Sequence, residues 1–122
     1  MRYGMVIDLK RCSGCKTCSV VCKVANNIPN DIIWNRVLTE DCDVMDGALG
    51  TYPNVTRTFL PVACQHCQNA ACQRVCPTGA MHKDELGLVW PDATKCIGCG
   101  YCIAGCPFDV PRLNPEDNRV YK

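Results

Sequence analysis

The fold of this protein is decided by two cysteine-rich stretches, CQHCQNAACQRVCP at Cys64–Pro77 and CIGCGYCIAGCP at Cys96–Pro107. Each contains three closely spaced cysteines, a fourth cysteine four residues after the third, and a proline directly after the fourth. The second stretch has the spacing C-x2-C-x2-C-x3-C-P, which is typical of bacterial sequences that bind [4Fe–4S] clusters. The first stretch has four residues instead of two between its second and third cysteines, which predicts a longer loop with the same role.

The repeated spacing predicts that each run contributes ligands to both clusters. Three thiolates on one tight loop can bind three irons of one cluster, whereas the fourth cysteine of such a run binds the other cluster in two-cluster proteins. The first cluster site is therefore predicted to consist of Cys64, Cys67, Cys72 and Cys106. The second cluster site is predicted to consist of Cys76, Cys96, Cys99 and Cys102.

A further cysteine run lies near the start of the sequence. Its spacing is Cys12-x2-Cys15-x2-Cys18-x3-Cys22, and it continues with Lys23 where the other two runs have proline. The spacing predicts a three-ligand loop formed by the first three cysteines, and a fourth cysteine, Cys22, that binds a different cluster.

Thirteen cysteines in 122 residues exceed ordinary usage, and clusters, disulfides and zinc are the competing explanations. Disulfide scaffolds belong to secreted proteins; the apolar run at Met1–Ile7 is too short for a signal peptide, so a cytoplasmic location is predicted. Zinc prefers paired C-x2-C units around one ion, which runs of four cysteines ending in Cys-Pro do not suit. The thirteenth cysteine, Cys42, lies among carboxylates that disfavour its thiolate form, and a free thiol is predicted there rather than a cluster ligand.

Other classes of function lack their motifs in this sequence. The formal net charge is +1 and no basic run exceeds Lys10–Arg11, so a nucleic-acid-binding surface is not expected. No apolar stretch of ~18 residues is present to span a membrane. There is no Walker loop, G-x-G-x-x-G or H-E-x-x-H motif. We therefore predict an electron carrier without catalytic residues, in which His66 and His82 occupy ordinary polar surface positions.

The predicted fold is α+β and ferredoxin-like, a single domain over residues 1–122 with interleaved cluster-binding repeats and a β-hairpin insert. Its parts are the first cysteine run at 1–29, the β insert at 30–63, the two-cluster core at 64–107 and a polar, turn-rich tail at 108–122. The sequence predicts strands at Tyr3–Leu9, Ile32–Thr39, Val55–Val62, Met81–Lys83 and Leu88–Trp90. It predicts helices at Lys16–Ala25 and around Gly100–Gly105.

The order of the three runs, the long insert after the first run, and the stretches Cys64–Lys83 and Cys96–Pro107 resemble the iron–sulfur subunits of dimethyl sulfoxide reductase-type molybdoenzyme complexes. The resemblance implies electron transfer to or from a molybdopterin-containing catalytic subunit, with a membrane subunit that often exchanges electrons with quinones. Relatives of this type serve reductases of sulfoxides, polysulfide, thiosulfate and nitrite, and some formate dehydrogenases and hydrogenases. The resemblance also allows export of the folded protein, bound to a catalytic subunit that carries a twin-arginine signal.

The sequence departs from that family in one respect. Family members carry a fourth cysteine run, so that run one pairs with run four, run two pairs with run three, and up to four clusters are bound. This sequence ends at Lys122, where the fourth run would begin. We therefore expect two complete [4Fe–4S] clusters, an incomplete one at Cys12, Cys15 and Cys18, and Cys22 as a ligand to a missing cluster. The sequence could be a fragment or a natural short form that another polypeptide completes, and both interpretations are open. The alternative functions are a free-standing soluble ferredoxin and a zinc-binding structural module.

Overall fold

The computed structural model describes residues 4–39 and 48–122, so the predicted free thiol at Cys42 lies outside the described residues. The described residues contain three helices, α1 Thr17–Ala25, α2 Ala71–Arg74 and α3 Tyr101–Ala104. Their strands are β1 Arg36–Thr39, β2 Leu49–Thr51, β3 Asn54–Thr56, β4 Phe59–Val62, β5 Met81–Lys83, β6 Val89–Pro91, β7 Arg112–Asn114 and β8 Arg119–Tyr121. No helix in the described part of the chain is long and apolar enough to cross a membrane.

The strands form four separate two-stranded antiparallel sheets. Strand β1 pairs with β4, so that Arg36 lies opposite Val62, and β2 pairs with β3. Strand β5 pairs with β6, with Met81 opposite Pro91, and this hairpin connects the two cysteine runs of the core. The strands predicted at Met81–Lys83 and Leu88–Trp90 are thereby confirmed within one residue at each end.

Helix α1 contains the last two cysteines of the first run, Cys18 and Cys22, and confirms the helix predicted at Lys16–Ala25 within one residue. It begins after Lys16, whose φ of 58° is left-handed, and it ends at Asn26, whose side chain donates to the Cys22 carbonyl at 2.9 Å. None of its residues is buried, and Val24 is 76% exposed. The helix therefore leaves its valine side chains largely exposed.

The strand predicted at Tyr3–Leu9 is wrong over its described part, residues 4–9, which form no strand. Val6 is 96% exposed there, and the Arg11 N–H donates to the Asp8 carbonyl at 3.2 Å in a turn. Apolar residues favour a strand only where a neighbouring strand can pair with them. The described residues offer no such partner to this segment.

The core contains residues from both of the cysteine runs at Cys64–Pro77 and Cys96–Pro107. Its buried members are Ala70, Cys72, Met81, Val89, Cys102 and Val120. Four half-buried residues pack against them: Cys67, Cys76, Cys96 and Ile103. Cysteines therefore fill positions that aliphatic side chains occupy in ordinary small domains.

The segment after the core, predicted as a polar, turn-rich tail, contains a hairpin that the sequence did not predict. Strands β7 and β8 form a hairpin with Asn114 opposite Arg119, and Val120 of this hairpin is 5% exposed. The Asn118 N–H donates to the Asn114 carbonyl at 2.9 Å, and the left-handed φ of Asn118 (53°) closes the loop. Turn residues here join two short strands instead of ending the folded structure.

The β1–β4 sheet is attached to the end of the core by one arginine. Arg36 donates to the carbonyls of Phe108 at 3.2 Å and Asp109 at 2.8 Å, and it forms an ion pair of 3.4 Å with the Asp109 carboxylate. Arg112 binds the same carboxylate, and its hydrogen bond holds the pKa of Asp109 below the usual value. These contacts fix the backbone that follows Cys106, a predicted ligand of the first cluster site.

Candidate metal centres

The predicted ligands of the second cluster site share one cavity. Its wall contains Cys76, Cys96, Cys99 and Cys102, three from one run and one from the other. The remaining lining residues carry no charge: Thr78, Ala80, Met81, Pro91, Ile97, Gly100 and Val120. A cavity with thiol donors and otherwise mainly apolar walls fits a [4Fe–4S] cluster, which is bound by thiolates and shielded from water.

Short elements hold these cysteines in place. Gly98 and Gly100 have left-handed φ values of 70° and 76°, so the loop turns twice before α3 begins and brings Cys102 into the core. Cys76 follows α2, and its Sγ accepts a hydrogen bond from the Met81 N–H at 3.5 Å. The sharp turns of the loop depend on glycine, because other residues disfavour these φ values.

The pKa values of the thiols show which sulfurs lie near one another. Burial raises the pKa of Cys102 to about 11, and the charges of Cys96, Cys76 and Cys99 contribute to the increase. These are the other three predicted ligands of the second cluster site. Because iron binds the thiolate form, a positively charged iron–sulfur core is the partner that lets these four groups ionise together.

Cys76 ionises more readily than an ordinary thiol. Burial opposes its ionisation, yet hydrogen bonds from the Met81 N–H and from Thr78 bring its pKa below the usual value. The Thr78 hydroxyl lies 3.7 Å from its Sγ. Both contacts come from residues between Cys76 and the start of β5. The thiolate form of Cys76 is therefore favoured by residues that lie outside the run Cys96–Pro107.

The first cluster site has a similar electrostatic signature. Burial raises the pKa of the Cys72 thiol; the nearby charges of Cys106 and Cys64 raise it further, whereas the Lys122 ammonium lowers it. The Cys64 Sγ accepts a hydrogen bond from the His66 N–H at 3.4 Å. Cys106, which lies in the other run, therefore acts on Cys72 across the core.

A single metal ion fits these cysteines poorly. No group of three or more His, Cys, Asp or Glu residues among residues 4–39 and 48–122 could hold one ion. In a cubane each cysteine binds a different iron, so its four sulfurs lie farther apart than four sulfurs around one zinc. The arrangement therefore favours a cluster over the zinc alternative.

His66 does not occupy the ordinary surface position that was predicted for it. It is half-buried, with a left-handed φ of 43°, and its Nδ1 accepts a hydrogen bond from the Val89 N–H at 2.9 Å. Burial lowers its pKa, which keeps Nδ1 free to accept. The ring thus ties the first ligand loop to β6. His82, in contrast, is exposed, as predicted.

The first cysteine run stands apart from the core. Cys15 and Cys18 are exposed, whereas Cys12 and Cys22 are half-buried. A hydrogen bond with Thr17 lowers the pKa of Cys15. Cys22 lines a second, larger cavity together with Cys64, whereas none of the other three cysteines of its run lines that cavity. The assignments of Cys12, Cys15, Cys18 and Cys22 remain predictions from spacing.

Comparison with known proteins places these cysteines in a family context. The family model of the 4Fe-4S dicluster domain matches residues 55–122. The sequence is 45% identical over 115 residues to the arsenate respiratory reductase iron–sulfur subunit ArrB of Shewanella sp. (strain ANA-3), which covers 93% of this protein and 46% of that subunit. It is 45% identical over 115 residues to the thiosulfate reductase electron transfer subunit PhsB of Salmonella typhi, with 94% of this protein and 57% of that subunit covered.

A third relative is one of the polypeptides of the anaerobic dimethyl sulfoxide reductase of Escherichia coli (strain K12). It is 38% identical over 122 residues, which covers 99% of this protein and 60% of the relative. The present sequence thus spans about half the length of the curated relatives it matches. The similarity to iron–sulfur subunits of reductases that was inferred from the cysteine runs is confirmed.

Two neighbouring glycines allow a test of how the second ligand loop is held. A Cβ at Gly98 would collide with the Asn118 carbonyl in the β7–β8 loop, whereas a Cβ at Gly100 would meet nothing within 4 Å. Gly98→Ala and Gly100→Ala share the cost of a left-handed alanine, about 1–2 kcal/mol, but only the first also displaces the β7–β8 hairpin. We expect Gly98→Ala to bind less iron and to unfold at a lower urea concentration than Gly100→Ala. Equal losses in the two variants would contradict the close packing of this loop against Asn118.

Proposed function

This protein belongs to the 4Fe-4S dicluster domain family, and on that premise we propose that it relays electrons to or from a molybdopterin-containing catalytic subunit. The observation that carries the proposal is the cavity that brings Cys76 together with three cysteines of the other run. The named reductase subunits among its relatives support the same role. The protein would serve as one subunit of an oxidoreductase complex and would leave the substrate chemistry to its partner.

We propose that the two sites bind one cluster each. Cys64, Cys67, Cys72 and Cys106 would hold the first, and Cys76, Cys96, Cys99 and Cys102 the second. When bound, a [4Fe–4S] cluster accepts or donates one electron without making or breaking bonds to the protein. The protein supplies thiolates, N–H donors to sulfur and walls that exclude water, and these set the potential.

The interleaved arrangement would also keep the two clusters close to each other. Helices α2 and α3 pack against one another, and each lies within one of the two core cysteine runs. Since each site takes its fourth cysteine from the other run, neither cluster could move without displacing the other's ligand loop. A rigid pair of neighbouring redox centres is what an electron relay requires.

Further parts of the proposal concern the protein's surroundings. The β insert at 30–63, attached through Arg36, would shield the clusters and present a surface to the partner. The first cysteine run would supply Cys12, Cys15 and Cys18 to one additional cluster and Cys22 to another, with the missing ligands provided from outside the sequence described. A membrane-anchor subunit that exchanges electrons with quinones is the proposed second partner. The cytoplasmic location stays a prediction.

The interleaved pairing is tested by comparing cysteine variants of the anaerobically reconstituted protein. Cys76→Ser should change the same EPR signal as Cys99→Ser, because both cysteines belong to the second cluster site. Cys106→Ser should change the same signal as Cys64→Ser. The four variants are matched in chemistry, so each serves as a control for the others. If Cys76→Ser instead altered the signal that Cys64→Ser alters, each run would bind its own cluster and the pairing would be wrong.

The number and type of centres are tested by metal and sulfide analysis of the reconstituted protein. Two cubanes predict about eight irons and about eight sulfides per molecule, with broad absorption near ~400 nm. About twelve irons would mean that the first run also holds a stable cluster. Zinc in place of iron, after reconstitution with both metals present, would support the structural-module alternative and would contradict electron transfer.

A further inference from the structure

The two cluster sites lie in different electrostatic surroundings. The cavity of the second cluster site is lined by uncharged side chains apart from its cysteines. Lys95, which directly precedes Cys96, is exposed and forms a 3.3 Å ion pair with Asp92, so solvent and a carboxylate both screen its charge. The first cluster site, in contrast, is approached by two lysines whose charges no carboxylate in the described residues balances through a salt bridge.

The first of these lysines is Lys83, at the end of β5. Its Nζ donates to the Cys67 carbonyl at 2.7 Å and to the Gln68 carbonyl at 2.6 Å. Both carbonyls belong to the ligand loop between the second and third cysteines of the first site. The ammonium group is therefore held on the backbone of that loop, half-buried, where water screens its charge less than at the surface.

The second lysine is Lys122, which is 6% exposed. It lines the same cavity as Cys64 and His66. An ammonium group that is removed from water is stabilised by a counter-charge close to it. A cluster with four thiolates carries a net charge of about −2, so a bound first cluster would supply that counter-charge.

Positive charge near a cluster favours its reduced form. One-electron reduction takes the cluster and its thiolates from about −2 to about −3 without moving a proton or breaking a bond, and a nearby cation stabilises the more negative state. Hydrogen bonds to sulfur act in the same direction, and both sites have them. The His66 N–H donates to Cys64 at 3.4 Å and the Met81 N–H to Cys76 at 3.5 Å, and the Thr78 hydroxyl also lies 3.7 Å from the Cys76 Sγ. The lysine charges, in contrast, act at the first site, whereas the cavity of the second site has no charged lining residue apart from its cysteines.

We propose that Lys83, assisted by Lys122, makes the first cluster site the one of higher reduction potential, so that an electron entering the pair rests on the cluster held by Cys64, Cys67, Cys72 and Cys106. This inference rests on the proposed binding of two clusters. Lys83 acts as a positioning residue for the Cys67 loop and as a fixed charge, and these two roles can be separated by substitution. Lys83→Arg keeps the charge and the donors, whereas Lys83→Met keeps the length and removes both.

The test is an EPR-monitored redox titration of the anaerobically reconstituted 122-residue protein, with dithionite as the reductant. The two signals are assigned beforehand with Cys64→Ser and Cys99→Ser. Lys83→Met should lower the ratio of reduced to oxidised first cluster about tenfold at a fixed potential. This change is equivalent to a decrease of ~59 mV in the reduction potential of a one-electron centre. The same ratio for the second cluster should stay unchanged and serves as an internal control. Lys83→Arg should restore the original ratio. The matched control Lys95→Met, in which the lost charge is exposed and already paired, should change neither ratio more than about twofold.

The possible outcomes separate this inference from the proposed function. A Lys83→Met protein that retains about eight irons but shows an unshifted first cluster overturns the role of Lys83, while the two-cluster function stands. If that variant loses iron, Lys83→Gln, which is neutral but can still donate to the loop carbonyls, takes its place. If Lys83→Gln also loses iron, the titration of the unmodified protein provides the test. Reduction of the second cluster at a higher potential than the first would overturn the inference. A protein without any cluster after reconstitution overturns the proposed function itself.

Discussion

The structure depends on the convergence of two sets of cysteine thiols on one small core. Burial and the neighbouring thiols raise the pKa of Cys102 to about 11, and the same causes raise the pKa of Cys72. Without a metal these thiols stay protonated near neutral pH, since several buried thiolates at short range would repel one another. In the proposed arrangement, iron would remove that repulsion and link α2 to α3 by bonds that cross between the runs. Folding and cluster binding would therefore be coupled, as in other small metal-binding domains.

Such a coupling would explain why so little aliphatic core is needed. A domain of this size buries too small a fraction of its surface to be very stable from apolar contacts alone. The described residues place only a few aliphatic side chains, such as Val89 and Val120, against the cysteines. The remaining contacts are polar anchors that act on the ligand loops: His66 to the β6 backbone, Lys83 to the Cys67 carbonyl, and Arg36 to the segment after Cys106. Each anchor orients a loop that carries predicted cluster ligands, and the lysine would also bring charge to one of the two proposed sites.

The cysteine spacing predicts a grouping of ligands, because a cubane demands a fixed number of thiolates at short loop distances. The structure places Cys76 in one cavity with Cys96, Cys99 and Cys102, and the assignment of the eight core cysteines to two clusters stays a prediction. Helix α1 and the β5–β6 hairpin were likewise predictable from local composition. The β7–β8 hairpin was not, since its strands are three residues long and its turn residues indicate irregular structure when taken alone. The strand predicted at Tyr3–Leu9 failed for the opposite reason: its composition suits a strand, but no partner in the described residues lies beside residues 4–9. The role of His66 depends on Val89, 23 residues away, a contact that no local pattern encodes.

The central claim is that the two core runs exchange ligands around two clusters. Its most direct test is iron-edge anomalous diffraction from crystals of the anaerobically reconstituted protein. Two compact iron peaks are expected in the core, with Cys76 bound to the same peak as Cys96, Cys99 and Cys102, and Cys106 bound to the same peak as Cys64, Cys67 and Cys72. Peaks that each contact the four cysteines of a single run, or a core that binds one isolated ion, would contradict it.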